Sequence, residues 1–174
     1  MLEEELILVD EMDGQIGFMP KLEVHQKGLL HRAFSILVFN SKGQLLIQKR
    51  ASKKYHSANL WTNTCCSHPK KGETVDKAVQ RRLKEEMGIE CDLKFAYKFV
   101  YKTQFENNLI EHEFDYVYLG EFDGNPILNL DEASEYKWIY LSDLRNDMQQ
   151  NPEKFTYWFN IILKQHLKSF HFEK

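Results

Sequence analysis

The residues Trp61-Thr62-Asn63-Thr64-Cys65-Cys66-Ser67-His68-Pro69 set a tryptophan, two adjacent thiols and a histidine in one short stretch. A plain core strand would alternate apolar and polar side chains, with β-branched or aromatic residues at the apolar positions. Here the positions go to groups that transfer protons or ligate metal, so the stretch is expected to form one wall of an active site. A second group of this kind is Glu111-His112-Glu113. On a strand, Glu111 and Glu113 share one face and His112 takes the other. Neighbouring carboxylates repel when ionised and shift each other's pKa. They are costly on a buried face unless a cation lies between them; on an exposed face they are ordinary solvated strand surface.

If His25, His31 and His68 converge on those carboxylates, three imidazoles and two carboxylates surround one ion. Imidazole suits Zn, Fe, Mn and Cu, whereas carboxylates suit Mg and Mn. A mixed N/O set with more than four protein ligands favours an octahedral ion over structural zinc. None of the pairs is a compact ligand motif, so convergence has to come from the fold. His56, His166 and His171 lie in polar sequence and are read as surface or satisfied residues.

Directly after the thiol stretch comes a run patterned as a helix. Val75, Ala78, Val79, Leu83 and Met87 recur at helical spacing, with Asp76, Lys77, Gln80, Arg81, Lys84 and Glu85 opposite them. Arg82 falls close to the apolar stripe and shares a face with Glu86. By itself this is a solvated amphipathic helix. Aligned on Gly88, however, it resembles the Nudix box G-x5-E-x7-R-E-U-x-E-E-x-G-U at Glu73, Arg81, Leu83, Glu85, Glu86, Gly88 and Ile89. It departs at Ser67, where the box has its leading glycine, and at Arg82, where it has a glutamate used in metal-assisted hydrolysis. These departures weigh against a diphosphate hydrolase and leave the fold in place.

Gly28-Leu29-Leu30-His31-Arg32-Ala33-Phe34-Ser35, the thiol stretch and Glu111-His112-Glu113 together resemble type I isopentenyl-diphosphate isomerase, a Nudix-fold branch that lost hydrolysis. The resemblance runs from about residue 25 to residue 158. It implies an α/β fold, a Nudix-like mixed β-sheet sandwiched by helices with an N-terminal hairpin extension. His25, His31, His68, Glu111 and Glu113 would bind one divalent ion: Mn2+, Mg2+ or Zn2+. Cys66 would be the catalytic thiol, and Glu113 both ligand and second acid/base group. Glu86 would help hold Mg2+ against the diphosphate. Lys21, Arg50, Lys54 and Arg82 fall where the family places diphosphate-binding cations, and Tyr101 and Trp158 where it places active-site aromatics.

The reaction so implied moves a double bond, converting isopentenyl to dimethylallyl diphosphate and back. One carbon of an unactivated alkene gains a proton and another loses one, through a tertiary carbocation. One donor and one acceptor are needed, and Cys66 and Glu113 are of the right types once their surroundings shift them. An aromatic face stabilises a cation by ~0.5–2 kcal/mol. Trp158 is the family candidate for this and Trp61 a local one, while Phe155 and Phe159 read as core. Cys65 would point away from Cys66 in an extended segment; it and Cys91 are expected to pack.

These residues need a frame. Residues 5–10 and 16–19 read as strands around an Asp13-Gly14 turn. Residues 21–27 can be helical after Pro20 and before Gly28. Residues 33–39 and 44–49 flank a Gly43-containing turn as a hairpin. Residues 52–59 are expected to form a loop. Thr74 should cap the helix that ends at Gly88. Residues 92–101 and 109–121 are expected strands around Glu106-Asn107-Asn108, and residues 135–140 another. Ser142 is expected to cap a short helix, and Asn151-Pro152 to start a last one reaching about Leu167. The expectation is a single domain over residues 1–174, core about 30–165, acting as a monomer or dimer.

Composition narrows the partners. A net charge of −3 argues against a nucleic-acid-binding surface. No apolar run approaches the ~18 residues of a membrane helix, so no membrane partner is expected. Met1-Leu2-Glu3-Glu4-Glu5 is acidic where a signal peptide is basic. Three cysteines, two of them adjacent, give no disulfide framework. A cytoplasmic location with a small diphosphate as substrate is expected.

Overall fold

The computed structural model describes residues 4–105 and 107–166, the side chains of Gln165 and His166 excepted. Met1, Leu2, Glu3, Glu106, Leu167 and His171 lie outside the described residues. Strands β1 (Glu5–Val9) and β2 (Gln15–Pro20) form the N-terminal hairpin, which leads directly into helix α1 (Lys21–Lys27). Gly28 closes α1 at φ 63°, a left-handed conformation that lets the chain turn at once into β3 (His31–Phe39). A β-carbon there would also lie 2.9 Å from Ile110. Strand β4 (Gln44–Arg50) follows, then the short strands β5 (Trp61–Thr62) and β6 (Cys65–Ser67) and helix α2 (Val75–Met87). Long strands β7 (Leu93–Gln104) and β8 (Ile110–Glu121), then β9 (Ala133–Tyr140), complete one mixed sheet. Helices α3 (Leu141–Gln150) and α4 (Tyr157–Ile161) come last.

Strand β3 is the axis of the sheet. β8 lies parallel to it along its whole length, from His31↔Glu113 to Phe39↔Glu121. Its other edge is shared by β1 at His31, β6 at residues 34–36 and β4 at Phe39. Period-two alternation then divides the core. Leu37, Phe39, Leu45 and Ile47 pack with Leu144, Met148, Phe155 and Phe159 from the α3–α4 side. Ile36, Val38 and Leu46 pack with Ala78, Val79, Leu83 and Met87 of α2. The sheet is thus sandwiched by helices, with the expected hairpin at its N-terminal edge.

The β3–β4 hairpin pairs only at Phe39↔Leu45, after which the two strands part. The thiol stretch fills the gap, which explains its polar start. The Thr64 hydroxyl accepts from Val38 N (2.9 Å) and donates to Leu46 O (2.7 Å), so it bridges both strands. Asn63 Nδ2 donates to Ile36 O (3.2 Å) and Cys65 O (2.7 Å). Thr62, Asn63 and Thr64 are fully buried. Each satisfies groups that would cost about 1–3 kcal/mol if left unpaired.

Helix α2 starts at its Thr74 cap and ends at Gly88, as its pattern predicts. Two expectations fail at the C-terminal end. Helix α3 is not capped by Ser142: β9 runs straight into it, Tyr140 is the turning residue, and its side chain makes no cap. The last helix is not continuous from Pro152. A 3-10 turn over Pro152–Lys154 gives way to extended Phe155, which bridges to Trp61, and Thr156 N donates to Trp61 O at 3.0 Å. This tie to β5 breaks the helix; α4 then begins afresh and continues as a π turn over Ile162–His166.

Candidate active site

The metal-ligand candidates come from four elements. His25 is on α1, His31 opens β3, His68 follows β6, and Glu111 and Glu113 sit on β8. The β3–β8 register sets His31 beside Glu113, and the i, i+2 spacing puts both carboxylates on that face. All five residues are buried. His25, His31 and His68 present ligand atoms within 4.8 Å of one another, as do His31, Glu111 and Glu113.

The tautomers follow from geometry. A carbonyl only accepts, so His25 Nδ1 donates to Lys21 O (2.8 Å) and His31 Nδ1 to Leu29 O (2.9 Å). Their Nε2 atoms then carry lone pairs beside the carboxylates: His25 Nε2 lies 2.8 Å from Glu111 Oε1, and His31 Nε2 3.7 Å from Glu113 Oε1. These two Nε2 atoms, His68 Nδ1 and Glu111 Oε1 are buried with no hydrogen-bond partner. Acceptor beside acceptor in a buried cluster is unfavourable unless a cation intervenes. Burial, the largest cause, also lowers the pKa of His25, and brings His68 down to about 4. Neutral imidazoles of this kind are the ligand form. The donor set therefore fits a divalent ion.

As the side chains stand, the two carboxylates divide. Burial and the charge of Glu113 push Glu111 well up. Burial would also raise Glu113, but His31 and His68 outweigh it and hold Glu113 well down. Tyr101 Oη donates to Glu113 Oε2 at 2.6 Å, and burial keeps that phenol protonated.

A cavity of about 130 Å³ opens over this cluster. Glu111, Glu113, His68, Tyr101, Cys66, Arg50 and Trp158 all line it. Burial, partly opposed by Arg50, pushes the Cys66 thiol up to about 12. Cys65 turns the other way and is fully buried in the α2 core. Arg50 Cζ stands 5.3 Å from the Trp158 ring centre, and its Nη1 is 3.8 Å from Cys66 Sγ. Trp158 Nε1 donates to Asn63 Oδ1 (3.2 Å), which fixes the plane of the ring. Trp61 is partly buried, with Lys137 Nζ 4.6 Å from its ring centre, and does not line the cavity.

A NUDIX domain profile matches residues 29–159. An isopentenyl-diphosphate Delta-isomerase of Photorhabdus laumondii is 54% identical over 162 residues, covering 93% of this chain and 92% of that protein. One from Aromatoleum aromaticum is 52% identical over 162 residues, 93% of this chain and 86% of its own length. The chain belongs to the isopentenyl-diphosphate Delta-isomerases. Solved structures agree on the fold. A Deinococcus radiodurans protein superposes with a TM-score of 0.70 at 25% identity, covering 84% of this chain and 90% of its own. A MutT protein of Methanosarcina mazei gives 0.67 at 18%, covering 80% and 94%. Nudix enzymes use divalent metals, in keeping with the His/Glu cluster. Among the described residues, no helix is long and apolar enough to cross a membrane.

In this isomerase the four expected diphosphate cations, Lys21, Arg50, Lys54 and Arg82, all line the same cavity. Lys21 pairs with Glu4 at 3.0 Å. Arg82 pairs with Glu86 Oε1 (2.6 Å) and Glu132 Oε1 (2.9 Å), and Lys54 with Glu132. Glu86 does not join the His/Glu cluster; its second oxygen accepts from Gln48 Nε2 at 3.0 Å.

Three residues here escape the sequence reading. Asn63 left a trace, being an amide between two threonines in an otherwise apolar neighbourhood. Glu132 left none. Neither did His56, which is buried beside Glu111 with its imidazole pushed down to about 2 by burial and by Arg50.

Glu132 gives a stability prediction. Burial would raise its pKa, but Lys54 and Arg82 bring it down to about 2 from an ordinary 4.5. A depressed carboxylate stabilises the fold above its unfolded pKa, and loses this as pH falls through its folded pKa. Glu132→Gln should thus be less stable than wild type at neutral pH, by about 1 kcal/mol after solvent screening. The gap in Tm should close between pH 4.5 and about 2. A gap that stays constant with pH would remove the ion pairs as its cause.

Proposed function

We propose that the chain interconverts isopentenyl and dimethylallyl diphosphate with Cys66 and Glu113 as its acid/base pair. The observation that carries this reading is a single cavity lined by the Cys66 thiol, the Tyr101-linked Glu113 carboxylate and the Trp158 ring. Lys21, Arg50, Lys54 and Arg82 bind the diphosphate through charge-assisted hydrogen bonds, with Glu132 yielding Lys54 and Arg82 to it. The alkene then lies between thiol and carboxylate. One group gives a proton to the terminal alkene carbon, and the other removes one from the CH2 on the far side of the tertiary centre. Because the reaction is reversible, each group donates in one direction and accepts in the other. After each turnover the pair is left with its protonation states exchanged, and a proton returns before the next. The face of Trp158 stabilises the cationic centre, and burial keeps water from trapping it.

His25, His31, His68, Glu111 and Glu113 are read as the ligands of one divalent ion: Mn2+, Mg2+ or Zn2+. Such an ion supplies a fixed positive charge that orients Glu113 and sets its proton affinity. Glu86 is read as a holder of Mg2+ at the diphosphate. The free cysteines suit a reducing, cytoplasmic setting.

The test is incubation with isopentenyl diphosphate and Mg2+ in D2O, followed by NMR. Deuterium should enter the methyl groups of dimethylallyl diphosphate. Released phosphate with no isomer would point to a hydrolase instead, and no turnover of either kind to a binding module.

A further inference from the structure

Among the described residues, a second cavity of about 680 Å³ lies beside the reaction cavity. Leu60, Phe105, Pro152, Phe155 and Tyr157 give it an apolar lining, and no lysine or arginine contributes. His56 is the one described residue that lines both cavities. Its ring stacks on Phe105, which belongs to the second cavity, at 4.7 Å and 17°. It meets Trp158, which belongs to the first, edge-on at 6.1 Å and 78°. The imidazole therefore stands between the hydrocarbon end of the reaction cavity and an apolar groove.

The loop that carries this ring is tied from both cavities. Arg50, in the reaction cavity, donates to the carbonyls of Ser57 (3.1 Å) and His56 (3.3 Å). Asn107, in the groove, donates from Nδ2 to Tyr55 O at 3.0 Å. Between these ties Ser57 adopts φ 50°, a left-handed conformation that is rare outside glycine. Such a conformation persists only where its surroundings over-determine it, and here those ties hold the ring in place.

We propose that His56 is a specificity-determining residue, whose ring closes the hydrocarbon end of the site and limits the substrate to five carbons. A longer chain would have to pass where the imidazole stands. With the ring removed, the added carbons would run into the groove and bury against Phe105 and Phe155. The inference rests on the reading of the first cavity as the isopentenyl diphosphate site.

The test compares, by calorimetry with Mg2+ present, the binding of 3-methylbutyl diphosphate and its ten-carbon homologue, 3,7-dimethyloctyl diphosphate. Neither has an alkene, so the comparison is independent of the acid/base pair. Even one methylene in an apolar pocket is worth roughly 10–200-fold in discrimination. Wild type should therefore bind the shorter chain tighter by roughly 10-fold or more. His56→Ala should shift that ratio toward the longer chain by roughly 10-fold or more. His56→Val carries the same expectation with less packing lost, should the alanine variant fail to fold. His56→Phe keeps a ring and should keep the wild-type ratio. An unchanged ratio in the truncated variants overturns the proposal, and so does an equal shift in His56→Phe. Loss of both ligands by a folded truncation overturns it too, because a partition is dispensable to the shorter chain. Wild-type protein that binds neither diphosphate overturns the substrate reading itself, and is distinguished by being seen before any substitution.

Discussion

Cys66→Ala is expected to lower kcat roughly 10⁴-fold, the upper range for loss of one acid/base group, while leaving bound divalent metal unchanged. Cys66 Sγ lines the cavity but is not among the residues clustered as metal ligands. The backbone of Cys66 pairs with Ser35 in the β3–β6 ladder, and alanine keeps that pairing. Cys65, the thiol in the α2 core, is untouched. Loss of activity would therefore be chemical rather than structural. Turnover by NMR and metal content by atomic absorption settle it together. Activity close to wild type would remove Cys66 from the mechanism.

Glu113→Gln is the complementary substitution, and both activity and metal should go. Glu113 Oε1 faces His68 Nε2 at 3.1 Å and His31 Nε2 at 3.7 Å, and Oε2 accepts from Tyr101 at 2.6 Å. Glutamine fills the space but removes the charge, the basic oxygen and the ability to exchange a proton. Turnover should fall by at least about 10³-fold, with metal lost on dialysis that wild type survives. Metal retained by the variant would mean that Glu113 is not a ligand. Together the pair separates acid/base work shared by both residues from ligation by one of them.

What could be read from the chain was what lies close together along it. Thr74 and Gly88 bracket α2 because capping and left-handed termination are local chemistry. Glu111 and Glu113 share a face because a strand has period two. The pairing of His31 with Glu113 was different: parallel β3 and β8 come together across most of the domain, and no local pattern fixes that register. The break at Phe155 was hidden for the same reason. Residues 152–166 have a helical look, and only the bridge to Trp61, made elsewhere in the fold, stops them. His56 looked like a loop histidine because its burial depends on Phe105 and Tyr55 closing over it. Glu132 looked like any acidic residue because its partners Lys54 and Arg82 are remote in sequence.

The wedge between β3 and β4 has a bearing on how the molecule assembles. The Thr62 hydroxyl meets Thr156 at 2.9 Å and Asn63 receives Trp158 Nε1, contacts that span 94 and 95 residues. Closing loops of that length is entropically unfavourable and comes late in folding. Yet these contacts set both the plane of the Trp158 indole and the path of the strand that presents Cys66. A chain that stopped short of α4 would still hold every metal-ligand candidate and both acid/base groups. It would take Trp158 away from Asn63 Oδ1 and from the cavity, leaving the hydrocarbon end of the cavity without its wall. The C-terminal segment is therefore the keystone that turns a folded sheet into an enclosed reaction vessel.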